Sequence, residues 1–130
     1  MWRTLLLGGL IALPGLAMAM DYGQRLQQAD ADITAATAVL EQAPEDADAV
    51  LALLEARIER AWLSGAPVDW SAAEAVLPSL HPRAPRSCVV AARLHLFLHR
   101  IAAAEQALAA CSERTGRTAA ERAEIGRAHV

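Results

Sequence analysis

The chain contains no lysine, only two cysteines, and aromatic residues at just 4% of its 130 positions. Arginine is therefore the only side chain with a permanent positive charge, and 12 basic residues against 15 acidic ones give a net charge of −3. A mildly acidic chain lacks the clustered cations that a phosphate backbone demands, so no nucleic-acid partner is expected. The two cysteines are not in a Cys-x-x-Cys arrangement, which sets aside a redox-active dithiol. No Gly-rich phosphate loop is present, and Ser64, Ser71, Ser79, Ser87 and Ser112 lack a nucleophile-elbow context. The pairs Asp30/Asp32 and Asp46/Asp48 read as acidic helix starts and solvated faces, so no enzyme and no cofactor is expected. Alternating strand patterns are missing as well. The absence of lysine beside abundant alanine points to a GC-rich genome and hence a bacterium.

What is present begins with an address. Met1-Trp2-Arg3 is a short positive start, Thr4 to Leu16 is an almost uncharged apolar run, and Ala17-Met18-Ala19 offers small residues at the two positions a signal peptidase inspects. Residues 1–19 are expected to be a signal peptide cleaved before Met20. The run is shorter than the roughly 20 residues of a transmembrane helix, and Gly8, Gly9, Pro14 and Gly15 interrupt it. The mature chain is thus expected in the periplasm or outside the cell, without a membrane span.

Periodicity favours helix along the rest. The first helix is expected over Tyr22 to Gln42, stopped by Ala43-Pro44, and the second over Asp46 to Ser64, with Glu45, Asp46 and Asp48 at its positive end and Gly65 as a left-handed cap. Pro67 bars continuation. Asp69 or Ser71 then caps a third helix reaching Leu80, with Pro78 forcing a kink or early stop. Pro82 and Pro85 mark the next connection. Ser87 caps a fourth helix to about His99, and a fifth ends near Arg114. Gly116 follows, and Thr118 with Glu121 has the pattern of a capping box for a sixth.

Residues 46–114 repeat one helical hairpin. Trp70, Ala73, Leu77 and Leu80 share the spacing of Ile101, Ala104, Leu108 and Cys111, 31 residues later. The preceding helices correspond at an offset of 34: Leu54 with Cys88, Ile58 with Ala92, Ala61 with His95. Such self-similarity is the signature of a helical array, a class that binds partners far more often than it catalyses. In the order of Ala73, Leu77, Leu80 and Pro85, and of Ala104, Leu108 and Cys111, the chain resembles tetratricopeptide repeats. Val39 to Pro44 resembles that family's repeat ending, which makes residues 20–44 a leading half-repeat before two hairpins over 45–117. Asp32 stands where a small residue belongs, Arg57-Ile58 and Ala91-Ala92 replace a Leu-Gly pair, and Gly116 replaces a proline. The resemblance implies an all-α fold, antiparallel helical hairpins stacked as a short right-handed superhelix. A generic antiparallel bundle uses the same spacing.

The functional expectation is a periplasmic or secreted scaffold for protein–protein interaction, a fragment of a longer array; the alternative is a small structural bundle or assembly subunit with no groove. In the family the first helix of each repeat lines a concave surface. Carried over, that face comprises Glu55, Glu59, Trp62 and Leu63, then Arg86, Val89, Arg93, Leu96 and Phe97. Trp62 and Phe97 would anchor apolar groups and Arg93 would grip a carboxylate. The competing expectation pairs Glu59 with Arg93 and puts both rings in the core. The partner is a protein or peptide of unspecified identity. Cys88 and Cys111 lie about a dozen residues either side of the turn near Arg100, so they either form a disulfide or fill separate small-residue positions. His95 and His99 share a helix face, and with Glu105 or His81 would make three metal ligands; a ring between helices and a helix-end donor explain them better, so no metal is expected. Residues 118–130 begin a further helix, of which 125–130 read as the in-frame translation of a sequencing adapter, the gene continuing past Ala123.

Overall fold

In the computed structural model residues 14–84 and 86–111 are described, with side chains from residue 21 onward. The expected leader up to residue 13, Pro85, the sixth helix and the adapter-like tail lie outside them. Among the described residues the chain is all-helical and contains no strand. The helices are α1 (Pro14–Gln42), α2 (Ala47–Ser64), α3 (Pro67–Glu74), a 3₁₀ turn (Leu77–Ser79), α4 (Ser87–Phe97) and α5 over 101–111. None is long and apolar enough to cross a membrane.

α2 is the central helix. It packs against α1, α3 and α4. Both its ends follow from local chemistry. Asp46, in extended conformation, accepts the Ala49 N–H at 3.0 Å, satisfying one orphan donor of the first turn. Gly65 takes φ +66° and donates to Ala61 O at 2.8 Å, a left-handed cap that glycine adopts without a Cβ penalty.

α1 lies antiparallel to α2. Its Leu26, Ala29, Ile33, Ala36 and Leu40 recur every three or four residues, and the two alanines are buried. Small residues at the seam permit close approach, as alanine-rich helices need. Tyr22 donates its hydroxyl to Leu63 O at 2.6 Å and so serves a carbonyl of the last turn of α2. Arg60 joins three helices, donating to Asp30 on α1 and to Asp69 on α3. Its hydrogen bond to Asp30, then that carboxylate's charge, hold its guanidinium above the ordinary arginine pKa.

Several boundaries differ from expectation. α1 begins at Pro14, upstream of Tyr22. α3 begins at Pro67, with Ala66 as its N-cap, so neither Asp69 nor Ser71 caps it. Proline lacks an N–H where a first-turn N–H has no partner anyway, so Pro67 starts this helix as well as barring the last. α3 stops at Glu74 because Pro78 cannot donate to that carbonyl and its ring would collide with it; the chain tightens into the 3₁₀ turn and leaves its expected course to Leu80. Arg86, at φ +67°, is the N-cap of α4 in place of Ser87, whose hydroxyl instead donates to Pro82 O at 3.4 Å. α4 ends at Phe97. His99 sits at φ +58°, donating to Leu96 O while Arg100 donates to His95 O at 2.8 Å. These two bonds form a Schellman cap with histidine in the glycine position.

The core gathers Val50, Leu51, Leu54 and Ile58 of α2 with Ala73, Val76, Val90 and Leu94. Trp70, Leu77 and Leu80 pack against it, as their spacing suggests. Their counterparts diverge: Ala104 is 1% exposed, whereas Ile101 and Leu108 are 55% and 44% exposed. Phe97 of α4 lies against Trp70 in the first hairpin; among the described residues no later helix does the same for α5. Cys88 and Cys111 are joined in a disulfide that ties α5 to α4, with Cα atoms 5.7 Å apart.

Candidate functional site

α2 and α4 run side by side in the same direction. Arg86 at the start of α4 meets Glu55, with Nη2 3.0 Å from Oε2, and Phe97 at its end meets Trp62 with ring centroids 5.1 Å apart. Positions 55, 59 and 62 therefore stand beside 86 to 97. An open groove of about 840 Å³ lies between α1 and α2; of the α2 and α4 positions just named, Glu55, Glu59 and Arg93 line it, whereas Trp62, Arg86 and Phe97 lie outside its lining. Its floor is alanine (Ala29, Ala36, Ala49, Ala52, Ala56) and its rim is charged.

The face carried over from the repeat family divides in three. Glu55 and Glu59 line the groove, but each is already neutralised: Glu55 by Arg86, and Glu59 by Arg25 of α1, Nη2 to Oε1 2.5 Å. Glu59 does not pair with Arg93. The α1–α2 packing sets Arg25 at the level of Glu59, as Tyr22 beside Leu63 also marks, and that guanidinium takes the carboxylate. Phe97 is half-buried, packed on the core and in contact with two tryptophans, Trp70 lying at 5.4 Å between ring centroids. That ring is core. Trp62 is 59% exposed and remains available.

Arg93 is exposed and, among the described residues, makes no hydrogen bond or ion pair. Val89 and Leu96 share its helix face at 53% and 48% exposure. Arginine flanked by uncovered apolar side chains at a groove edge is chemistry suited to a carboxylate with apolar neighbours.

No family model, curated protein or solved structure matches the chain. The site therefore rests on its own residues.

No three His, Cys, Asp or Glu side chains among the described residues are grouped to hold a metal. His99 is committed to the turn after α4. His95 is half-buried, with Nδ1 shielded from solvent and without a hydrogen-bond partner.

The wall supplied by α1 was not anticipated. Arg25, Asp32 and Val39 line the groove along with the α2 face. The signal was present in their spacing of seven, one helix stripe adjoining the alanine seam, but a lone first helix gives no indication of which side faces a neighbour.

Proposed function

We propose that the protein is a periplasmic or secreted scaffold of stacked helical hairpins that holds a protein or peptide partner on the face shared by α1, α2 and α4. The observation that carries the reading is Arg93, exposed and without an ion pair among the described residues, on the helix face of Val89 and Leu96 at the edge of the groove, with Trp62 exposed on α2. A guanidinium between two uncovered apolar side chains, with an exposed tryptophan on α2, has the composition of a binding hot spot. Packing order supports stacked hairpins, since α2 touches the helix before it, its hairpin partner and the first helix of the next hairpin. The disulfide favours an oxidising compartment, in keeping with the leader-like start of the chain.

Selection of displayed twelve-residue peptides against the purified, oxidised protein tests this reading. Enriched peptides are expected to shift the backbone amide resonances of Val89, Arg93 and Leu96, and Trp62→Ala or Arg93→Glu should weaken them about tenfold. Failure to enrich any sequence, or binding that neither substitution alters, would refute it.

A further inference from the structure

Half of the large apolar side chains left exposed among the described residues lie on α4 and α5: Val89, Leu96, Ile101 and Leu108. The first hairpin shows what such positions contact. At the offset of 34, Val89 and Leu96 match Glu55 and Trp62, and both of those touch α4, Glu55 through Arg86 and Trp62 through Phe97. At the offset of 31, Ile101 and Leu108 match Trp70 and Leu77, which pack against Phe97 and the core that holds Val90 and Leu94. Glu105 matches Glu74, whose Oε1 is 2.5 Å from Nη2 of Arg100. The correspondence extends to burial, since Ala73 and Ala104 are both sealed in, as are Ile58 and Ala92. These residues therefore stand where the first hairpin receives α4. On the second hairpin they are uncovered, and Glu105 is exposed without an ion pair among the described residues.

We infer that the outer face of the α4–α5 hairpin docks one amphipathic helix of a partner protein. α4 itself defines the pattern, filling the first hairpin's place with Val90 and Leu94 four apart, Phe97 three further on and Arg100 three after that. The partner helix carries the same order of two aliphatic residues, a ring and a cation, its ring beside Leu96 and Ile101 and its cation at Glu105. Two other occupants fit less well. Residues 112–130 contain no Phe, Tyr or Trp to supply the ring. A second copy laid antiparallel on α5, Ile101 against Leu108, would press the two Glu105 carboxylates together. This surface is distinct from the groove, whose lining includes no residue of α5 and only Arg93 of α4.

The test uses the oxidised full chain and a fluorescent peptide copied from residues 86–100 with Cys88→Ser, read by anisotropy. Saturable binding is expected, weakened at least about tenfold by Ile101→Glu or Leu108→Glu in the protein, or by Phe97→Ala in the peptide. Both protein side chains are exposed, and circular dichroism checks that the helices persist. Glu105→Arg should weaken binding about threefold, and Arg100→Glu in the peptide should restore it. No saturable binding, or binding that neither Ile101→Glu nor Leu108→Glu alters, would overturn the proposal. Binding lost to Arg93→Glu but indifferent to Ile101→Glu would put the helix in the groove, overturning the proposal while the scaffold reading stands. A dimer in sedimentation that Ile101→Glu dissociates would give the face to a second copy. Nuclear Overhauser contacts from residues 112–130 to Ile101 would give it to the chain's own continuation. Either result also overturns the proposal.

Discussion

Replacing Cys88 and Cys111 together by serine tests what holds α5. Among the described residues, Ala104 is the only side chain of that helix below a tenth exposed, and burying one methyl contributes about 1 kcal/mol. An eleven-residue helix is marginal by itself in water. Near its start, the ion pair of Arg100 with Glu74 is exposed and contributes little. The disulfide is thus the main tether. Its two cysteines are 23 residues apart, so on chain-entropy grounds the crosslink stabilises by about 3.4 kcal/mol. In a domain of this size that corresponds to a melting temperature roughly 15 °C lower for the double serine variant. Urea unfolding followed by circular dichroism measures the global loss, and hydrogen exchange locates it. Amides of 101–111 should lose protection first in the variant, while those of α2 keep theirs. Unfolding free energies within about 0.3 kcal/mol of each other, with unchanged exchange in 101–111, would refute the reasoning.

Two further outcomes follow from helix ends. His99→Gly removes a left-handed histidine from the turn after α4, and should raise stability by about 1 kcal/mol after the added freedom of the unfolded glycine is counted; a loss in thermal unfolding would show that the imidazole has a stabilising role. A chain beginning at Met20 should melt within about 2 °C of the full chain, because the described side-chain bonds from α1 to α2 start at Tyr22; a larger fall in melting temperature would mean that the preceding turn of α1 contributes to the fold.

Local chemistry made part of this structure legible in the sequence. Asp46 and Gly65 mark the ends of α2 because a side-chain cap and a positive φ are properties of single residues. Helical content was readable for the same reason, as was the core position Ala73. What depended on neighbours was not. Pro67 starts a helix because the turn before it points the chain correctly, and Arg86 and His99 take conformations that their residue types disfavour. The partner of Glu59 depends on which helix lies closer, and spacing within one helix does not record that. Burial of the α5 face likewise depends on what packs beyond it.

The ring cluster has an optical consequence. The chain has three tryptophans, Trp2, Trp62 and Trp70, and loss of the first nineteen residues would leave two, both in tilted contact with Phe97. One is largely bathed in solvent and the other is half-covered, so their emission maxima should differ. Because the three rings come from α2, α3 and α4, any change in how these helices sit on one another alters both environments at once. Ultraviolet emission and near-ultraviolet dichroism of the unlabelled protein would therefore report the disposition of its hairpins directly.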